Sequence, residues 1–313
     1  MKALLVSLLF LAPYLSWGKE ASAMDAKLLK HPVKAALWKI DGPDLKKPSY
    51  LFGTLHLGDP RVTTLHPKAE EAFKEADHFY AEIDLDPQSQ FAIMPELMRT
   101  DNKTLTESIG PELAQKLNTA FKDINPALSA APFNTMKTWV VYATLPILEL
   151  QMSGKKALDV VLYERAMKEG KEVGALETAD SQLKIFDEIK EEDQVKLLAA
   201  TLKLLKEEKK SGENSMEELL NLYLTDDIAA IGKTVKDYMK KEQDGANAEL
   251  STKLMKALLD DRNVTMADTI VTKIIALPEH SHFFAVGAAH YTGATAIQDL
   301  LSKKGYTITP AFK

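Results

Sequence analysis

Ser49-Tyr50-Leu51-Phe52-Gly53-Thr54-Leu55-His56 is an apolar, β-prone run that reaches a glycine and, three residues later, an imidazole. His282-Phe283-Phe284-Ala285-Val286-Gly287-Ala288-Ala289-His290 repeats that plan near the other end of the chain. Each run reads as a strand, and each glycine (Gly53, Gly287) reads as a turn residue that avoids a Cβ clash. With 7 histidines and 14 glycines in 313 residues, fewer than one Gly-x-x-His spacing is expected by chance, and the chain has two. If both strands share one parallel sheet, both imidazoles stand at its carboxyl edge, where open α/β sheets bind ligands.

Working outward, Ala36 to Ile40 reads as a strand before the turn Asp41-Gly42-Pro43-Asp44. Leu65 to Ala76 has helical spacing, and His78 to Ile83 reads as a further strand stopped by Asp84-Leu85-Asp86-Pro87. Strand, helix, strand in so short a stretch is a βαβ unit, whose right-handed crossover makes its strands parallel. The C-terminal stretch repeats this, with a strand to Val286, a helix from Gly293 to Lys304 and a strand over Tyr306 to Ile308. Between the halves, Pro111–Phe121, Thr138–Met152, Ala157–Gly170, Glu192–Lys210, Ser215–Leu224, Ile228–Lys241 and Ala248–Asp260 carry amphipathic spacing. One short strand, Lys171 to Leu176, interrupts them. The expected fold is α/β: two βαβ halves forming one mixed, largely parallel sheet, with a helical insertion over about 88–278 in a single domain of 24–313.

The net charge of −6 carries no basic footprint, which argues against nucleic acid or anionic lipid as partner. Lys2 followed by the apolar stretch Ala3 to Trp17 and then Ala21-Ser22-Ala23 reads as a signal peptide, residues 1–23, cleaved after Ala23. The mature chain is then expected in the periplasm or outside the cell, with no integral membrane span. No cysteine is present, so neither disulfides nor thiolate chemistry contribute.

The strand ends deliver polar residues to one edge: His56, Glu82, Glu177 and His290. Two imidazoles with one or two carboxylates suit a divalent ion such as manganese, cobalt or zinc. A carboxylate beside such an ion serves as ligand or as general base on its water, and the chemistry is hydrolysis. Alternation points Glu82, Asp84 and Asp86 the same way, so the strand end alone leaves the choice among them open. Arg262, at an expected helix start, either braces Glu82 or a substrate carboxylate, or caps a surface helix. His78, His280 and His282 fall at the amino ends of their strands, on the far side of the sheet.

Leu51-Phe52-Gly53-Thr54-Leu55-His56-Leu57-Gly58-Asp59, Tyr80-Ala81-Glu82-Ile83-Asp84, Gly174-Ala175-Leu176-Glu177-Thr178, Arg262-Asn263 and Val286-Gly287-Ala288-Ala289-His290 with Gly293 together resemble the TraB/PrgY/GumN family, the bacterial relatives of the TIKI metalloproteases. Their order and spacing span nearly the whole mature chain; Tyr291 stands where a leucine is more usual. The resemblance implies an α/β core with a helical insertion and two Gly-x-x-His motifs at the site. It also implies hydrolysis assisted by a divalent ion, with a peptide or protein as substrate. On that basis His56, His290 and Glu82 are expected as metal ligands, Glu82, Glu177 and Arg262 as catalytic groups, and Gly53 and Gly287 as turns. The competing expectation is a peptide-binding or sequestering envelope protein on the same fold, which does not cleave.

Overall fold

The computed structural model describes residues 34, 36–225, 227–234 and 248–312. The leader expected at 1–23 lies outside the described residues. Six strands form one sheet: β1 (Leu37–Asp41), β2 (Ser49–Thr54), β3 (His78–Ala81), β4 (Glu172–Ala175), β5 (His282–Gly287) and β6 (Thr307–Pro310). Their order is β4-β3-β5-β2-β1-β6. β4, β3, β5 and β2 run parallel, while β1 is antiparallel to both β2 and β6. The sheet is therefore mixed and mostly parallel, as the two glycine-ended runs predict.

Alternation along the central strands feeds two cores, as a sheet covered on both faces requires. Phe52, Phe79 and Phe283 point to one face, where they meet Phe73 of the Pro67–Glu75 helix and Tyr163 of the Leu158–Lys168 helix. Leu51, Tyr80, Phe284 and Val286 point to the other, against Met266, Ile270 and Ile274 of the Arg262–Ala276 helix and Leu301 of the Ile297–Lys303 helix. The long charged helices gather over the first face, where Glu191–Ser211 buries Leu197, Leu198 and Leu202.

Three helices depart locally from the expected elements. The helix expected to begin at Pro111 begins at Leu105 behind a Thr104/Glu107 capping box, and Gly110 breaks it with φ 77°. The helix expected over Thr138–Met152 tightens to a 3-10 turn over Leu145–Ile147, because Pro146 has no N–H to donate, and resumes over Leu148–Met152. The helix from Ala248 widens into a π turn over Lys256–Asp261 and runs straight on into Arg262–Ala276. Arg262 therefore sits inside a continuous helix rather than at a free start. β6 runs in the direction of β5 but lies beyond β2 and β1, at the far edge. Of the helix expected over Ile228–Lys241, residues 228–234 are helical and the rest lies outside the described residues. Among the described residues, no helix is long and apolar enough to cross a membrane.

Candidate active site at the carboxyl edge of the sheet

The parallel register Gly53↔Val286 and Thr54↔Gly287 brings the ends of β2 and β5 level. His56 follows the first end by two residues, and His290 lies in the 3-10 turn Ala288–Tyr291 that follows the second. β3 ends beside them and presents Glu82. The Glu177 backbone N–H donates to the Glu82 carbonyl at 2.8 Å, which carries the β3–β4 pairing one step further and brings Glu177 alongside. Four strand ends thus meet as the sequence implies.

Glu82 is at the centre. Its Oε1 lies 3.6 Å from His56 Nε2 and 3.9 Å from His290 Nε2, and accepts the Gly287 N–H at 2.7 Å. Its Oε2 accepts from Arg262 Nη2. Arg262 also donates through Nε to both oxygens of Glu177, at 2.9 and 3.1 Å, and through Nη1 to the Leu258 carbonyl in the π turn. One guanidinium fork therefore ties two carboxylates together, a geometry suited to arginine and not to lysine. All of these side chains are buried. At Gly287 a Cβ would come within 3.1 Å of Glu82 Oε1 and 3.3 Å of His56 Nε2. Its φ of −52° is open to any residue, so the glycine provides room at the centre of the site rather than a turn. Gly53 lies within β2, where a Cβ would press on Ala36 at 3.0 Å.

Each imidazole is held from behind. His56 Nδ1 donates to Asp159 Oδ2 at 2.6 Å, and the other Asp159 oxygen accepts the Thr54 hydroxyl. His290 Nδ1 donates to Asn263 Oδ1 at 2.5 Å, while Asn263 Nδ2 donates back to the His290 carbonyl at 3.2 Å. Burial pulls the His56 imidazole down, but Asp159 and Glu82 beside it prevail and carry it up to about 10. For His290, burial prevails and brings it down to about 3. Burial alone would raise Glu82, yet Arg262 and the two imidazoles hold it well below the usual carboxylate range. Glu177 is raised, because burial outweighs the pull of Arg262.

The other candidates separate cleanly. Asp84 accepts from the Tyr163 hydroxyl, and Asp86 caps the Pro87–Ala92 helix through the Gln88 and Ser89 N–H groups. Of the three acids after β3, only Glu82 reaches the histidines among the described contacts. His78 and His282 pair in register at the amino edge, with His280 packed against His78. Tyr291 is buried against Trp38, its hydroxyl bonded to the Phe52 carbonyl. Asp159 and Asn263 are site groups for which the sequence reading gives no role. The signal for Asp159 is an acid in the apolar run Leu158-Asp159-Val160-Val161-Leu162, on the face that buries Tyr163 and Ala166.

Among the described residues, no group of three or more His, Asp or Glu side chains is set at coordination distance for a metal. Metal–ligand bonds of about 2.1 Å separate neighbouring donors by roughly 3.0–3.4 Å, less than the 3.6 and 3.9 Å found here. In kind, however, the donors suit a divalent ion. Two Nε2 atoms face one carboxylate oxygen, and each opposite ring nitrogen is bonded to an oxygen, as metal-ligating histidines require.

The chain is similar to the Metalloprotease TIKI homolog of Nematostella vectensis, at 23% identity over 83% of this chain and 64% of that protein. It is also similar to Metalloprotease TIKI1 of Homo sapiens, at 23% identity over 84% of this chain and 60% of that one. The Shigella flexneri Uncharacterized protein YbaP is 24% identical over 81% of this chain and 87% of its own length. The chain thus spans under two thirds of the TIKI proteins and most of the bacterial relative. No solved structure matches it. The TraB/PrgY/gumN family profile matches residues 36–310, from just before β1 to the end of β6, and the chain belongs to that family.

Proposed function

We propose that the chain is an exported, divalent-metal-dependent hydrolase acting on peptides or proteins. One observation carries this reading: His56 and His290, from motifs at opposite ends of the chain, turn their Nε2 atoms to the same Glu82 oxygen around the space left by Gly287. The similarity to the TIKI metalloproteases supports the reaction class.

His56 and His290 would hold the ion through Nε2, with Glu82 as third ligand or as the base beside it. When bound, manganese, cobalt or zinc supplies an acidified water and polarises a carbonyl. Glu82, held ionised by Arg262, is suited to face the positive charge of an ion held by the two histidines. Glu177 is the second carboxylate, fixed beside Glu82 by Arg262, and burial raises its affinity for protons. Arg262 fixes the positions of both carboxylates. Burial of the whole group keeps bulk water from weakening these interactions. Residues 1–23 would be removed on export, which leaves the mature chain in the periplasm or outside the cell.

Peptide cleavage by the mature protein, with and without chelator, tests this. Cleavage should stop on chelation and return with one of the three ions, and Glu82→Gln should lower kcat at least about 100-fold. Peptide binding that survives chelation with no product formed would favour the sequestering role instead.

A further inference from the structure

The two histidines are held by different chemistry. Asp159 brings a carboxylate to His56, and Asn263 brings a neutral amide to His290. The direction of each bond follows from its partner. An ionised carboxylate only accepts, so His56 Nδ1 carries the proton. The Asn263 amide nitrogen is committed to the His290 carbonyl, so its oxygen faces the ring and His290 Nδ1 also carries a proton. In both rings Nδ1 carries a proton and Nε2 turns to Glu82, where a bound ion would take the place of any proton on Nε2. Among the described contacts, a carboxylate stands behind His56 and an amide behind His290.

We propose that Asp159 is a positioning residue that makes His56 the stronger of two unequal donors, with Thr54 fixing the carboxylate's rotation. The proposal rests on the metal-dependent reading of the site. Asp159 lies in the first turn of the Leu158–Lys168 helix, and its two oxygens go to Thr54 and His56, both at the exit of β2. A carboxylate hydrogen-bonded to the far nitrogen of a ligating imidazole fixes its orientation and raises its basicity toward the ion. Asn263 gives orientation alone. The helical stretch thus supplies a working part of the site.

The test uses the full mature protein with 15N-labelled histidine, and zinc as a diamagnetic probe. In the metal-free wild type, the His56 Nδ1–H proton should appear far downfield, and it should persist when zinc binds at Nε2. Asp159→Asn, which keeps the shape and removes the charge, should move that proton upfield and weaken zinc binding about 10- to 100-fold. Its thermal unfolding should remain cooperative. Thr54→Val should weaken zinc binding in the same direction by less, and it carries the test should Asp159→Asn not fold. Unchanged zinc affinity and an unchanged His56 signal in the variant that folds would overturn the proposal. A wild type that binds no zinc, manganese or cobalt would overturn the metal reading instead. In that case the Nδ1–H signal still decides whether Asp159 holds His56 through Nδ1.

Discussion

Gly287 and Arg262 show how much of this site depends on single residues. Gly287 occupies ordinary φ/ψ space, so an alanine there costs the backbone little; its Cβ would instead intrude between Glu82 and His56. Gly287→Ala should therefore fold and melt within a few degrees of the wild type while losing most of its metal affinity and turnover. A melting curve beside a metal titration reads both. Arg262 has the opposite profile, because two buried carboxylates rely on one guanidinium. Arg262→Met should destabilise the protein by about 3–5 kcal/mol, since removing one partner strands buried charge. Arg262→Lys should recover only part of that, because an ammonium cannot form the fork. Denaturant unfolding of the metal-free proteins measures all three. The sequence shows Arg262 only as a choice between brace and surface cap; the π turn at Lys256–Asp261, which periodicity does not reveal, keeps the helix continuous and the arginine inside.

Among the elements, the amino edge of the sheet has a chemistry of its own. β3 and β5 begin with His78 and His282 in register, and their rings lie 5.3 Å apart between centroids. His280 packs edge-on against His78 at 4.9 Å, with Asp77, Lys47, Glu172 and Tyr80 also facing the group. Burial pushes His282 down to about 4 and lowers His78 as well. Because unfolded histidines titrate near 6.5, the unfolded chain binds more protons than the folded one between about pH 6.5 and 4. This contribution is constant above that window, and stability falls as the pH drops through it. The wild type should lose about 2–3 kcal/mol more than His282→Gln between pH 7 and 4.5, measured by denaturant unfolding at both values. The strands themselves are legible because aromatic and β-branched runs ended by turn signals have few other readings. Helix interiors such as Thr138–Met152 are less so, since one proline changes the hydrogen-bond pattern without breaking the apolar spacing.

Across the whole molecule, the site joins residues from Thr54 to His290 and exists only once the sheet is complete. The parallel sheet and the meeting of His56, Glu82, Glu177 and His290 were readable because strand ends have a direction, and four parallel strands share one edge. Asp159 carries only the signal of an acid in an apolar run and Asn263 none, because each reaches that edge from a helix whose approach is set by packing of the two cores. The position of β6 beyond β1 was hidden for a similar reason: a helix can return the chain to either edge of a sheet. Under the proposed function, His56 and His290 together hold a catalytic divalent ion. Metal content and peptide turnover of the mature protein, purified without chelator, beside a folded His56→Ala/His290→Ala double mutant, test it most directly. One tightly held ion per wild-type chain with turnover is expected, with the loss of both in the mutant. Metal and turnover that persist in the mutant, or a wild type that neither binds manganese, cobalt or zinc nor cleaves peptide, would contradict it.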